Sequence, residues 1–231
     1  MLALIYAGGL GKRLRPLTDA IPKPMIRVGG KPILQWQLEH LRRHDVRRIL
    51  LLVGYKAEAI EKYFGDGSAF GVEIKYSREE EPLGTAGSLA KALELVNTEK
   101  FLLLNGDIIT NIDVRKLLEA LDNEPKAGAS IAAVELPSPF GVLQIDESGL
   151  VRGFVEKPRL KDVWINAGLY AMRKSVVEGL CPRRGDVERT LLPALAEEGR
   201  LVAVRYPGAL WKSIDSFKDL EEAEELVSLL R

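Results

Sequence analysis

The sequence predicts an α/β fold with a mainly parallel sheet, and three observations carry that prediction. Short apolar runs alternate with amphipathic stretches through the first half, as they do where buried strands are joined by crossover helices. Two of those runs, Leu2–Ala7 and Phe101–Leu104, are apolar without alternation, as strands covered on both faces are. Each ends in a glycine-bearing turn, Gly8-Gly9 and Asn105-Gly106-Asp107, at the edge where open α/β sheets receive ligands.

The elements follow in order. Leu2–Ala7 reads as the first strand, and a loop punctuated by Gly and Pro runs from Gly8 to about Lys31. Pro32 suits the first turn of a helix reaching about Asp45, with Leu34, Leu38 and Leu41 on one face. Arg48–Val53 is the next strand and Ala57–Phe64 the next helix, stopped by Gly65 and Gly67. Val72–Tyr76 is a strand, a loop from Glu79 to Gly84 follows, and a helix runs from about Thr85 to Val96. After Phe101–Leu104 a helix from about Asp113 to Leu121 completes this half. Ser130–Leu136, Gly141–Ile145, Val151–Val155 and Ile165–Met172 are strand-like. A helix near Val187–Glu197, a strand at Leu201–Arg205 and a terminal helix from about Ser216 close the chain. No low-complexity linker or internal repeat divides it, so residues 1–231 are expected to form one domain.

Composition narrows the partners. Lys+Arg and Asp+Glu both number 33, so no polyanion such as DNA or RNA is expected. Residues 1–31 nevertheless hold Lys12, Arg13, Arg15, Lys23, Arg27 and Lys31 against Asp19 alone, a basic patch suited to a small anion. The single Cys181 excludes an intrachain disulfide and fits a reducing cytoplasm. No run is long and apolar enough for a membrane span, so no membrane partner is expected.

The glycine loop Gly8-Gly9-Leu10-Gly11 lets backbone N–H groups approach phosphate oxygens, with no Cβ in the way. It is neither of two common phosphate loops. Arg13 follows Gly11-Lys12 where a Walker loop needs Ser or Thr, and Leu14 stands where a dinucleotide fingerprint needs its third glycine. Pro22 and Pro24 stiffen the segment that carries Lys23, a suitable counter-charge for a leaving pyrophosphate. Asp107, among phosphates at a strand end, suits Mg²⁺, though the same position also suits a turn or a helix cap. His40 and His44, one helical turn apart, could share a metal, but no third ligand is evident.

The ordered set of Gly8-Gly9-Leu10-Gly11-Lys12-Arg13-Leu14, Pro22-Lys23-Pro24-Met25, Pro82-Leu83-Gly84-Thr85-Ala86-Gly87, Asn105-Gly106-Asp107, Phe140-Gly141-Val142, Glu156-Lys157-Pro158 and Asn166-Ala167-Gly168 resembles the sugar-phosphate nucleotidyltransferases over essentially the whole chain. The resemblance implies a three-layer α/β/α sandwich with a Rossmann-like mixed sheet. It also implies transfer of a nucleotidyl group from a nucleoside triphosphate to a sugar 1-phosphate, with Mg²⁺. By that resemblance Ala7, Gly8, Gly9, Gly11, Lys12, Arg13, Lys23, Glu79, Gly84, Thr85 and Asp107 bind the nucleotide, with Arg13 and Lys23 on the triphosphate, Gly84 against the base and Glu79 reading it. Lys157 holds the sugar phosphate, Glu156 and Asn166 bond the sugar hydroxyls, and Gly141 gives a backbone contact. Arg13, Lys23, Asp107 and Lys157 form the catalytic set.

Leu83-Gly84-Thr85-Ala86-Gly87 looks like the mannose-1-phosphate and heptose-1-phosphate guanylyltransferases more than the uridylyl or thymidylyl branches. Glucose 1-phosphate with UTP, dTTP or CTP is the enzymatic alternative, and a non-catalytic regulatory paralogue the alternative of another class. A molybdopterin-type guanylyltransferase ranks lower, because the Pro-Lys-Pro and Glu-Lys-Pro elements would be foreign to it. No appended β-helix or regulatory domain is expected, and a homo-oligomer is compatible with the sequence.

One segment departs from the family pattern. Trp211-Lys212-Ser213-Ile214-Asp215-Ser216 has Ser213 where most members carry a metal-binding Asp. Residues two apart along a strand share a side, so Asp215 is expected to supply the second metal ligand beside Asp107. The alternative is that Asp215 caps the terminal helix.

Overall fold

A computed structural model describes residues 1–230. The chain opens with β1 (Leu2–Tyr6), then α1 (Leu17–Ala20), the short ribbon β2 (Arg27–Val28) and β3 (Lys31–Pro32), and α2 (Ile33–Arg43). It continues through β4 (Arg48–Val53), α3 (Ala57–Phe64), β5 (Glu73–Arg78), α4 (Gly84–Ala92), β6 (Lys100–Asn105), β7 (Ile108–Thr110) and α5 (Arg115–Asn123). The second half is β8 (Ala129–Pro137), β9 (Val142–Ile145), β10 (Val151–Val155), β11 (Arg159–Arg173), α6 (Lys174–Leu180), α7 (Leu191–Glu197), β12 (Leu201–Arg205), β13 (Trp211–Ser213) and α8 (Phe217–Ser228).

Seven strands form one sheet in the order β12-β8-β11-β6-β1-β4-β5. β1, β4, β5 and β6 are mutually parallel, and β11 alone runs against its neighbours β6 and β8. The expected Rossmann-like mixed sheet is therefore present. Strand periodicity divides its side chains between two cores. Ala3, Ile5, Leu102 and Leu104 face α2, α3 and α5, whereas Leu4, Phe101, Leu103 and Tyr170 face α4, α6 and α7. That division is the three-layer sandwich. Burying Leu4 or Ile5 completely is worth about 1.5–3 kcal/mol each over leaving it in water. A third cluster, with Leu14, Ile26, Trp36, Ile109, Ile214 and Val227, ties the glycine-loop region to α8.

Several elements differ from the sequence reading. The long loop after β1 contains two 3-10 turns, Lys12–Leu14 and Lys23–Met25, as well as α1 and β2. β7 pairs antiparallel with β13, a ribbon between segments about a hundred residues apart. β11 is twice the expected length, with irregular register between Leu160 and Trp164 and again between Asn166 and Tyr170, where Gly168 takes φ +71°. α6 was not foreseen. The helix expected from Val187 begins only at Leu191, because the preceding residues run in turns along α4.

Candidate active site

The site forms at the carboxyl ends of β1, β4, β5 and β6, where the parallel strands release their turns together. A cavity of about 740 Å³ opens there. Of the residues expected to meet the nucleotide, Gly8, Gly9, Lys23, Glu79, Gly84, Thr85 and Asp107 line it. Ala7 lies beneath, buried, its N–H donating to Leu52 O at 2.8 Å. Gly11, Lys12 and Arg13 form the outer turn of the loop and do not line the cavity.

Two close approaches explain the local sequence. A Cβ at Gly106 would stand 1.7 Å from Tyr6 O, so the turn after β6 can pack on the end of β1 only as glycine. Gln37 of α2 clamps that turn, donating to Asn105 O at 2.6 Å and to Ile108 O at 3.0 Å. Gly11, at φ +59°, faces Thr18 and Lys23, and its missing Cβ lets the Lys23 segment close in.

Lys23 is the centre of the polar network. Its side chain is 13% exposed, and Nζ donates to Asp107 Oδ2 at 2.6 Å and to Asp215 Oδ1 at 3.0 Å. Arg13, 78% exposed, reaches the same Asp215 oxygen at 3.2 Å. Asp215 arrives through the β7–β13 ribbon, whose continuation sets Ile214 N–H on Asp107 O at 2.9 Å. Ser213 donates to Asp215 Oδ2 at 3.0 Å, but β13 ends at Ser213, so this bond and not strand alternation brings the two side chains together. Burial pushes the Asp215 carboxyl up, but Lys23, the Ser213 hydroxyl and Arg13 outweigh it and hold it below the ordinary aspartate value. Asp215 does not cap the terminal helix. Ser216 does, accepting from Asp219 N–H at 3.3 Å while donating to the Asp219 carboxylate at 2.7 Å.

Glu79 closes the far wall. β5 runs two residues beyond the expected Tyr76, and Glu79 N–H donates to Val53 O at 2.9 Å, which fixes the side chain at the sheet's end. Its carboxylate stands against Gly8 and Gly54, both of which would strike it with a Cβ. Oε2 is buried with no hydrogen-bond partner, and desolvation raises the carboxyl pKa. Glu79 itself lines the cavity, so a small rotation of its side chain would bring this acceptor to a ligand N–H.

The sugar-phosphate candidates stand apart from this cavity. Gly141, Glu156 and Lys157 belong to the turns flanking β9 and β10, a two-stranded ribbon separate from the main sheet. Lys157 takes φ +45°, is 55% exposed, and lies 3.6 Å from Glu156. Asn166, on β11, is engaged internally: it donates to the Tyr170 hydroxyl at 2.7 Å and accepts from Gly168 N–H at 2.8 Å.

The histidine pair has a packing role. His44 Nδ1 lies 2.9 Å from His40 O, its Nε2 faces Asp113 at 3.4 Å, and burial depresses His40 to about 4. No group of three or more His, Cys, Asp or Glu side chains placed to hold a metal occurs among the described residues. Trp36 and Trp211 are also structural, donating to Val28 O and Ala167 O. Sequence reasoning missed Tyr6, Tyr55 and Asp186, which line the cavity. Asn105, quoted only as part of a motif, lines it too, with a buried Oδ1 that lacks a partner.

The nucleotidyl transferase family matches residues 2–228 of this chain. The chain belongs to this family. Mannose-1-phosphate guanylyltransferase catalytic subunit beta of Drosophila pseudoobscura pseudoobscura is 40% identical over 222 residues, 94% of this chain and 60% of that protein. The same subunit of Xenopus tropicalis is 39% identical over 225 residues, 95% of this chain and 62% of that one. The chain thus spans about 60% of the length of these relatives. Among solved structures, HddC from Yersinia pseudotuberculosis complexed with GMP-PN superposes with a TM-score of 0.76 at 30% identity, over 97% of this chain and 98% of that one. No helix among the described residues is long and apolar enough to cross a membrane.

Proposed function

We propose that this protein joins a nucleoside triphosphate to a sugar 1-phosphate, releasing pyrophosphate, with GTP and mannose 1-phosphate (or a heptose 1-phosphate) as substrates. The observation that carries the reading is Lys23, held between Asp107 and Asp215 at the mouth of a cavity whose opposite wall is Glu79. Relatives named mannose-1-phosphate guanylyltransferase, and a neighbour that holds GMP-PN, support the choice of guanine. Guanine presents N1–H and an exocyclic amine, two donors that a carboxylate can accept; uracil and thymine present one imide N–H.

The chemistry needs no general base. A sugar phosphate has its second pKa near about 6 and is largely a dianion at neutral pH. One of its oxygens attacks the α-phosphorus, the bond from that phosphorus to the bridging oxygen breaks, and pyrophosphate leaves with the electron pair. The chain must therefore orient two anions and offset their repulsion. Lys23 and Arg13 supply positive charge beside the triphosphate, backbone N–H groups of Gly8 and Gly9 face it with Gly11 on the outer turn of the same loop, and Lys157 meets the sugar phosphate. Gly141, Glu156 and Asn166 are assigned to the sugar.

Asp107 and Asp215 fit Mg²⁺, because both carboxylates already converge on one cation and the ion favours one or two carboxylates together with phosphate oxygens. When bound, Mg²⁺ would supply charge neutralisation at the phosphates. Residues 1–231 act as one catalytic unit in this reading, on small substrates rather than nucleic acid or membrane. The lone free thiol of Cys181 suits a reducing cytoplasm.

The test crosses five nucleoside triphosphates with mannose, glucose and heptose 1-phosphates and follows pyrophosphate release. The expected maximum is GTP with mannose 1-phosphate or the heptose. A maximum with UTP or dTTP overturns the guanylyl reading, and no release with any pair overturns the catalytic one.

A further inference from the structure

The turn from Arg183 to Glu188 is locked onto the amino end of α4. Ala86 N–H donates to Gly185 O at 2.8 Å, Gly185 N–H to Leu83 O at 3.0 Å, and Val187 N–H to Thr85 Oγ1 at 2.9 Å. Thr85 Oγ1 in turn donates to Glu188 at 3.1 Å. The contact is close enough that a Cβ on Gly84 would stand 2.3 Å from Gly185 O, and one on Gly87 2.4 Å from Arg183 O. Backbone hydrogen bonds and glycine contacts therefore hold this turn, and none of those bonds uses the Asp186 carboxylate.

That carboxylate is left for another purpose. Asp186 lines the cavity beside Gly84, Thr85 and Tyr6, with its Oδ1 3.1 Å from where a Gly84 Cβ would be. Its backbone carbonyl accepts from Arg189 N–H at 3.0 Å and from Thr190 Oγ1 at 2.7 Å, but among the described residues the carboxylate has neither a hydrogen-bond nor an ion-pair partner. Nearby polar groups cannot serve it: the Tyr6 hydroxyl is committed to Thr85 O at 2.8 Å, and Thr85 Oγ1 to Glu188. A fixed, half-buried, acceptor-only group on a cavity wall is matched by ligand O–H donors. An anion is disfavoured there, and the phosphate-binding cations Lys23 and Arg13 belong to the network around Asp215.

We infer that Asp186 is a substrate-binding residue that accepts hydrogen bonds from sugar-ring hydroxyls in the cavity. This deepens the proposed function and rests on it. The hydroxyls have two sources in that reaction, the ribose of the nucleotide and the ring of the sugar phosphate, and the experiment separates them.

Asp186→Asn keeps size and backbone while replacing a charged acceptor with a weaker one. Binding of GTP and of mannose 1-phosphate is measured by calorimetry on wild type and variant, with steady-state KM beside it. The expected result is a loss of about tenfold in affinity for one substrate, the size of a lost charged hydrogen bond, with kcat within about twofold and an unchanged Tm. If ribose is the source, GTP weakens, and 2′- or 3′-deoxy-GTP binds wild type and variant equally. If the other sugar is the source, mannose 1-phosphate weakens instead, and one of its deoxy analogues loses the difference. Equal affinities of wild type and variant for both substrates overturn the inference, whatever the turnover. Absence of turnover in wild type, with binding lost in the variant, overturns the catalytic reading and leaves this one standing.

Discussion

The two ends of the site are built differently. At the proposed phosphate end the glycine loop and Asp107 follow buried strands, in which Leu4 and Leu103 are inaccessible, and Lys23 is 13% exposed between two carboxylates. At the proposed sugar end Gly141, Glu156 and Lys157 flank the β9–β10 ribbon, where Phe154 is 64% and Ile145 61% exposed, and Lys157 is 55% exposed. A two-stranded ribbon outside the main sheet has little packing of its own to hold it. The contrast leads to a testable expectation: the first end is organised before any substrate arrives, and the ribbon gains order when one binds. Positioning is most demanding where opposing phosphate charges must be held, and there the fold provides the most support.

Removing the organised charge should have the largest effect. Lys23→Ala and Arg13→Ala are each expected to lower kcat by roughly 10²–10³, about 3–4 kcal/mol, with the fold intact because both side chains lie in a loop. Near wild-type turnover in either variant removes that residue from the mechanism. Asp215→Asn belongs to the same test: it should raise the Mg²⁺ concentration for half-maximal rate and collapse kcat. A wild-type metal dependence would leave Asp107 as the sole carboxylate ligand.

A pair of glycine substitutions then reads the difference in packing directly. Gly106→Ala forces a Cβ against the carbonyl of a buried strand and should cost about 3 kcal/mol or more in a urea melt. Gly141→Ala meets only the movable ends of Phe154 and Glu156 and should stay within about 0.5 kcal/mol, while raising KM for the sugar phosphate. Equal costs would mean the ribbon is as firmly packed as the sheet.

The base wall gives a smaller, selective effect. Glu79→Gln should narrow the preference for GTP over UTP by about 1–3 kcal/mol, since it removes a charged acceptor, one of whose oxygens has no partner in the protein. An unchanged ratio of the two kcat/KM values points to Glu80, Glu81 or backbone groups as the base reader.

The organised end was also the legible one. Strands buried on both faces appear in sequence as unbroken apolar runs, so β1, β4 and β6 were visible, and the glycines after them announced the turns. The β7–β13 ribbon was not, because three-residue strands carry no periodicity and their pairing is a tertiary event. Asp215 was placed by an alternation with Ser213 that β13 stops short of, and the structure supplied what sequence could not: its convergence on Lys23 and the helix cap made by Ser216 instead. Asp186 had no local signal beyond a neighbouring glycine, since its location follows from a turn docking on a helix about a hundred residues earlier. The histidine spacing suggested a metal that burial and the neighbouring Asp113 explain without one.

Amide hydrogen exchange tests the division most directly. In the free protein the amides of Val142–Ile145 and Val151–Val155 should exchange far faster than those of Leu102–Leu104, and they should slow when GTP, Mg²⁺ and mannose 1-phosphate are added. A ribbon as protected as β6 before any ligand is present, or one that no substrate slows, would contradict the account.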